Sequence, residues 1–427
     1  MTSKITQIHA REILDCRGLP TVHVDLTLED GSRGGADVPA GRSTGANEAV
    51  DLRDGGPRYG GYGVRRAVAN INTTIRDHLL GRDLTSQEEL DRALIELDGT
   101  PDKSRLGGNA TTGVSLAAAR AAAASNGVEL YEWITARPHL LPVPQVNLIN
   151  GGRHASNDLD FQEFTIMPVG AGSFAESLQI ASEVNMALGE ILLARLGKAA
   201  LNTGDEGGYA PDLDDPEDAL AALIEAVEAA GYDDKCVYGL DCAATHFYDT
   251  DSGKYALGGR TMGTEELIDY YLRLVDGYGV ESIEDPLEED DFAGFAELTR
   301  RAGIQIVGDD LFVTDPERVD RGAEVGAANS LLWKFNQIGT LTEAFDAAET
   351  AVGHGYSLVV SERSGETEDP IIADLAVGMG AGQIKTGAPV RGERTAKYNR
   401  LLQIEEILGD EAVYVGRNYR KPVRDWR

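Results

Sequence analysis

The chain has 427 residues, of which 42% are hydrophobic, and its 39 Lys and Arg against 71 Asp and Glu give a formal net charge of −32. That length allows two or three domains with a large core, and that charge argues against nucleic acid or an anionic membrane as the main partner. Cys16, Cys236 and Cys242 lack metal-type spacing, no apolar signal core follows Met1, and no apolar run reaches membrane-spanning length, so a reduced, cytoplasmic location is expected.

Residues 5–15 read as a strand, and 21–28 alternate with Val22, Val24, Leu26 and Leu28 on one side. Asp30-Gly31 makes a turn into a third strand that ends near Val38. Pro39 to Gly45 is too rich in glycine and small polar residues for a core element, and a mobile lid over about 38–48 is expected. Val64, Val68, Ile71, Ile75 and Leu79 share one helical face. Thr85 with Glu88 predicts a capping box, and an alanine-rich helix follows over 110–126. The first part is therefore an α+β domain, residues 1–137, with Pro138, Pro142 and Pro144 at the boundary.

A second domain, 143–427, opens with a strand over 145–149, then Arg153-His154, then a strand carrying Gln162-Glu163. A long amphipathic helix covers 173–196, and Asp205-Glu206 lies between glycines. From 236 onward, short apolar stretches alternate with helices, which predicts βα units around a parallel sheet. Each stretch ends in an ionisable residue: Asp241, Glu284, Asp309, Lys334, then Glu362-Arg363, then Lys385. In a closed barrel these ends converge on one mouth. Three carboxylates without sulfur suit Mg²⁺, and a nearby desolvated lysine suits a base of lowered pKa. The locally basic tail, Arg417, Arg420, Lys421, Arg424 and Arg427, has no assigned role.

Nine blocks in order resemble the enolase family across nearly the whole length. They are Arg11–Asp15, Ser43–Gly45, Phe161–Phe164, Gly204–Gly208, Ser282–Pro286, Asp309–Leu311, Asn336–Thr340, Arg363–Asp369 and Gly382–Gly387. The resemblance implies an α/β fold, a modified eight-stranded barrel under an N-terminal capping domain, assembled as a homodimer or octamer. It implies interconversion of 2-phosphoglycerate and phosphoenolpyruvate with two Mg²⁺, and a small anionic substrate as the partner. Asp241, Glu284 and Asp309 correspond to ligands of the first Mg²⁺ and Ser43 to a ligand of the second. Lys334 resembles the base, and Glu206, helped by Glu163, resembles the group that protonates the departing hydroxide. Asp205 or Glu163 is expected to raise the pKa of Glu206. Arg363 and Ser364 match a phosphate site, Lys385 a carboxylate site, Gln162 a substrate-binding position, and His154 a loop histidine that closes over the substrate.

The chain departs from the family pattern at Ala40, Arg42, Asn47, Arg153, Trp333, Glu362 and Gly392. Glu362 replaces a histidine beside the phosphate site. In one reading Arg42 pairs with Glu362 and closure is preserved. In a second, the chain is a paralogue of altered substrate in phosphonate biosynthesis, similar to carboxyphosphonoenolpyruvate synthase, with Arg42 and Arg153 receiving an extra anionic group. In a third, the fold serves as a non-catalytic binding protein.

Overall fold

The structure is a computed structural model that describes residues 3–42, 45–84, 86–135, 139–213 and 215–421. Ser43, Thr85 and Pro138 lie outside the described residues.

The N-terminal part is an antiparallel sheet of β1 (Ser3–Leu14), β2 (Pro20–Leu28), β3 (Arg33–Asp37) and a short β4 (Asp83–Leu84), in the order β3-β2-β1-β4. Alternation decides which face is covered: Val22, Val24, Leu26 and Leu28 are all buried. The alanine-rich helix Gly108–Asn126 packs on β2 and β3, because small side chains let a helix approach a sheet closely. The helical stretch from Arg65 to Leu79 buries Ile71, Ile75 and Leu79, with a π-helical segment at Ile71–Ile75. The next helix, Gln87–Asp98, is capped by Ser86, whose side chain accepts from the Glu89 amide. The cap thus falls one residue later than the expected pair of Thr85 and Glu88.

The second part is a closed eight-stranded barrel. Its strands are β5 (Val143–Asn150), β6 (Glu163–Met167), β7 (Val237–Asp241), β8 (Val280–Glu284), β9 (Gln305–Gly308), β10 (Ser330–Trp333), β11 (Ser357–Ser361) and β12 (Gly382–Lys385). All neighbours pair in parallel except β6, which runs antiparallel to both β5 and β7. Because β6 is reversed, its first residue, Glu163, lies at the same mouth as the last residues of the others. Registers place Glu163 opposite Asp241 and Asp241 opposite Glu284. Cross-strand neighbours of this kind lie about 5 Å apart, so three carboxylates form a row.

One feature is absent from the sequence reading. Between β7 and the helix Thr264–Tyr278, a three-stranded antiparallel ribbon spans Tyr248–Met262. Its strands have two, four and three residues, too short for periodicity to register. Among the described residues, no helix is long and apolar enough to cross a membrane.

Candidate active site

Period-two alternation selects the side chains that enter the barrel. Val307, Leu332 and Val359 form a small cluster of their own, separate from the main core. Two residues beyond Leu332 on the same face comes Lys334, and two beyond Gln383 comes Lys385. Trp333 lies between the two inward positions and points the other way. It is fully buried, stacks on Phe345, and donates from its indole nitrogen to the Ala344 carbonyl at 2.5 Å. Its expected place among the specificity residues is therefore corrected to a core position outside the barrel. Trp333→Ala is expected to cost about 3–5 kcal/mol of stability while leaving the KM of folded enzyme unchanged, as thermal unfolding and steady-state kinetics will report.

At the mouth, Lys385 Nζ lies 3.1 Å from Asp241, 2.8 Å from Glu284 and 3.1 Å from Glu163. Lys334 Nζ lies 2.5 Å from Asp309, whose other oxygen accepts from Gln337 at 2.8 Å. Burial would lower the Lys334 pKa, but the Asp309 carboxylate wins and raises it. The lowered value expected for a base is thus not that of this arrangement, since an anion in contact holds the proton in place. Asp309 shows the reciprocal effect: burial pushes it up, and Lys334 pulls it below its ordinary value.

The three expected metal ligands do not form one tight group. Asp241 and Glu284 meet on Lys385, and Asp309 meets Lys334. Among the described residues, the groups whose ligand atoms lie within 4.8 Å of one another are His154, Glu163 and Glu206, and Asp285, Asp309 and Asp310. Asp285 accepts from the Asp309 and Asp310 amides at 2.9 and 2.8 Å, with a left-handed φ of 42°. Burial, followed by the Asp309 charge, pushes it up to about 8. Convergence of Asp241 and Glu284 on one ammonium shows that these carboxylates are directed at a shared cation. The all-oxygen donor set fits a hard divalent ion. Ser43 lies outside the described residues.

A second cluster faces the first. The His154 ring nitrogen Nδ1 lies 3.5 Å from Glu163 and 3.4 Å from Glu206, all three buried. Burial alone would lower the His154 pKa, but Glu206 and Glu163 raise it to about 10. Asn147 donates to Glu206 Oε2 at 3.0 Å. The loop holding Glu206 needs its glycines: a Cβ on Gly204 would lie 2.6 Å from the His154 carbonyl, and Gly207 has φ +89°. The expectation of a raised Glu206 is corrected. Burial pushes Glu206 up, but the imidazolium holds it well below the ordinary value. It is Glu163 that rises, to about 7, through burial and the neighbouring Glu206 charge. Asp205 does not face this cluster; its carboxylate pairs with Arg42 at 2.8 Å.

Arg363 lies beside Lys334 and Asn336. Its guanidinium pairs with Glu48 at 3.0 and 3.1 Å and reaches Asn336 Oδ1 at 3.0 Å. Ser364 Oγ accepts from the Arg42 amide at 2.8 Å. Gln162 donates to Asp241 at 3.2 Å, and its buried Oε1 has no protein partner among the described residues. Ala40 exchanges two backbone hydrogen bonds with Gly365, at 2.9 and 3.0 Å.

The departures resolve differently from the sequence reading. Arg42 pairs with Asp205, and Glu362 pairs with the fully buried Arg394, so the expected Arg42–Glu362 pair does not form. Burial pushes the Glu362 carboxyl up and Arg394 opposes it. Arginine stays protonated, and a neutral Glu362 would leave that buried charge with carbonyls and with Glu393, 3.6 Å away and already paired with Arg391 at 2.7 Å; Glu362 is therefore its direct counter-ion. Arg153 and Asn47 are exposed. Arg153 acts on His246, whose imidazole is held at about 4 by burial and then by that guanidinium. Arg394, Gln337, Glu48 and Asp285 were missed as site residues; Gln337 and Asp285 sit inside blocks already noted, and Arg394 lies two residues beyond the departure at Gly392.

A family model described as "Enolase, N-terminal domain" matches residues 5–134, and one described as "Enolase, C-terminal TIM barrel domain" matches residues 138–423. A protein of Methanopyrus kandleri named "Enolase" is 56% identical over 422 residues, 97% of this chain and 98% of its own. Its namesake in Methanocaldococcus jannaschii is 54% identical over 420 residues, 98% and 99% of the two chains. That of Thermococcus gammatolerans is 54% identical over 424 residues, 98% of each. Likeness at this level does not favour the altered-substrate alternative, and the internal pairing of Arg42 with Asp205 and of Glu362 with Arg394 removes two of the departures that suggested it.

Proposed function

The chain belongs to the enolase family, and on that premise we propose that it is a Mg²⁺-dependent hydro-lyase converting 2-phosphoglycerate to phosphoenolpyruvate and water. The observation that carries this reading is one barrel mouth holding Lys334 on Asp309 opposite the Glu163–His154–Glu206 cluster. A base and an acid on opposite sides are what an elimination needs: the C2–H and C3–O bonds break, the C2=C3 bond forms, and water leaves.

Asp241, Glu284 and Asp309 would hold one Mg²⁺, and Ser43 is proposed for a second. When bound, the ions supply positive charge for the doubly negative carboxylate that forms as C2 loses its proton. Lys334 Nζ takes that proton once Asp309 no longer holds it protonated. Lys385, whose ammonium burial disfavours but Asp241 and Glu163 sustain, orients the substrate carboxylate. Arg363 and Ser364 receive the phosphate, and Gln162 borders the metal side. Glu163, the raised carboxyl of the pair, passes its proton to Glu206, which delivers it to the leaving hydroxide, with His154 above the pair. Residues 1–137, with a lid over about 38–48, would cap the barrel of 143–427. Three free cysteines support a cytoplasmic setting, and we propose a homodimer or octamer.

The test follows phosphoenolpyruvate formation by absorbance with and without chelator. We expect about 10 s⁻¹ or more with Mg²⁺ and none after chelation. Mg²⁺ should also stabilise the fold, by about 2.7 kcal/mol at a hundred times its Kd. Stabilisation by Mg²⁺ without turnover sinks the substrate assignment; neither effect favours a non-catalytic protein.

A further inference from the structure

Arg394 sits in the first turn of the helix Gly392–Leu408 and is fully buried. Its guanidinium joins two loops that no strand pairing connects. Nη1 pairs with Glu362 and donates to the Arg363 carbonyl at 3.0 Å. Nη2 donates to the Asp205 carbonyl at 3.0 Å and to the Ser364 carbonyl at 2.8 Å. The same nitrogen approaches Cys16 Sγ, in the turn after β1, at 3.7 Å. The three carbonyls belong to Arg363, to Ser364, and to the residue immediately before Glu206. One planar group therefore sets the spacing between the anion-binding loop and the loop of the proton donor.

A lysine cannot repeat this, since its donors radiate from one atom and the guanidinium presents a rigid fork. Glu362 alone cannot do it, since a carboxylate offers no donor to a carbonyl. The surroundings are also inflexible: a Cβ on Gly387 would lie 2.6 Å from the Glu206 carbonyl and 3.0 Å from both Arg394 Cδ and Glu362 Oε1. The Glu206 carbonyl is further held by the Ala388 amide at 3.0 Å.

We propose that Arg394 is a positioning residue that fixes the Glu206 loop against the Arg363–Ser364 loop, with Glu362 as its buried counter-ion. The inference rests on the roles proposed above for Glu206, Arg363 and Ser364. It makes the replacement of histidine by glutamate at 362 part of an internal pair, with no contact to substrate.

The experiment compares the native chain with Arg394→Lys, Arg394→Met and the double variant Glu362→Gln/Arg394→Met. Arg394→Met strands a buried carboxylate and should lower Tm by about 5 °C. The double variant leaves no unpaired charge and should recover most of that loss. Its kcat should nevertheless stay about 100-fold down, as should that of Arg394→Lys, because the two loops lose their common donor. A second readout needs no turnover: inorganic phosphate should raise the Tm of the native chain, and that shift should vanish in the double variant. A double variant with native kcat and native phosphate shift overturns the proposal, leaving charge balance as the only role. Absent turnover in the native chain would instead count against the substrate reading, and the phosphate shift would still decide the positioning role.

Discussion

Lys334→Ala is expected to lower kcat for 2-phosphoglycerate by about 10⁴-fold, the upper end of what a positioned base contributes. The size follows from the site: Lys334 is the cation at the mouth with Asp309 in direct contact, 2.5 Å away, and its reach is set by the inward register it shares with Leu332. No other lysine near Asp309 can replace it, because Lys385 is held by Glu163, Asp241 and Glu284. The variant should keep its Mg²⁺-induced rise in Tm, since removing an ammonium from Asp309 takes a competitor away from the metal. It should also lose exchange of the C2 proton with solvent deuterium, followed by NMR. Exchange at the native rate in Lys334→Ala would remove the lysine from the proton-transfer step. Loss of the Mg²⁺ response together with activity would mean that Lys334 shapes the metal site instead.

What was legible in the chain divides along a physical line. Asp241, Glu284, Asp309, Lys334 and Lys385 could be read because each ends an apolar run, and in a βα barrel such an end has one destination. Val22, Val24, Leu26 and Leu28 could be read for the same reason, since alternation states which face is buried. Trp333 was misread because its neighbour is Lys334, and in a strand adjacency in sequence means opposite faces. The partner of Glu362 was misread because charge pairing across 32 residues depends on where the helix Gly392–Leu408 docks, and no local pattern encodes that. Protonation of the acid pair was misassigned for a related reason. Which carboxyl rises depends on charges brought from distant parts of the chain: His154, Arg394 and Lys385 pull Glu206 down, whereas burial, Glu206 and Asp241 lift Glu163 against Lys385.

Glu206→Gln separates the two halves of the reaction. The substitution keeps the shape but removes both the charge and the carboxylate that relays the proton from Glu163. Its amide oxygen takes the bond from Asn147 that Glu206 Oε2 now accepts at 3.0 Å, which turns the NH₂ toward His154. The imidazole must then accept, so it becomes neutral, having lost the strongest of the charges that lift it to about 10. Elimination should fall by about 10²–10⁴-fold, the range of one general acid. Removal of the C2 proton should persist, because Lys334 and Asp309 lie apart from the His154 cluster and keep their contact. In heavy water the variant should therefore exchange the C2 proton of 2-phosphoglycerate while forming little phosphoenolpyruvate. This outcome is the opposite of that for Lys334→Ala, in which exchange and elimination disappear together. Equal loss of both in Glu206→Gln, with the Mg²⁺ stabilisation intact, would deny Glu206 a separate role at the hydroxide and move the proton donor to Glu163. That carboxyl already stands at about 7 through burial and the charge of Glu206, and without Glu206 beside it only burial and Asp241 would still act to keep it protonated.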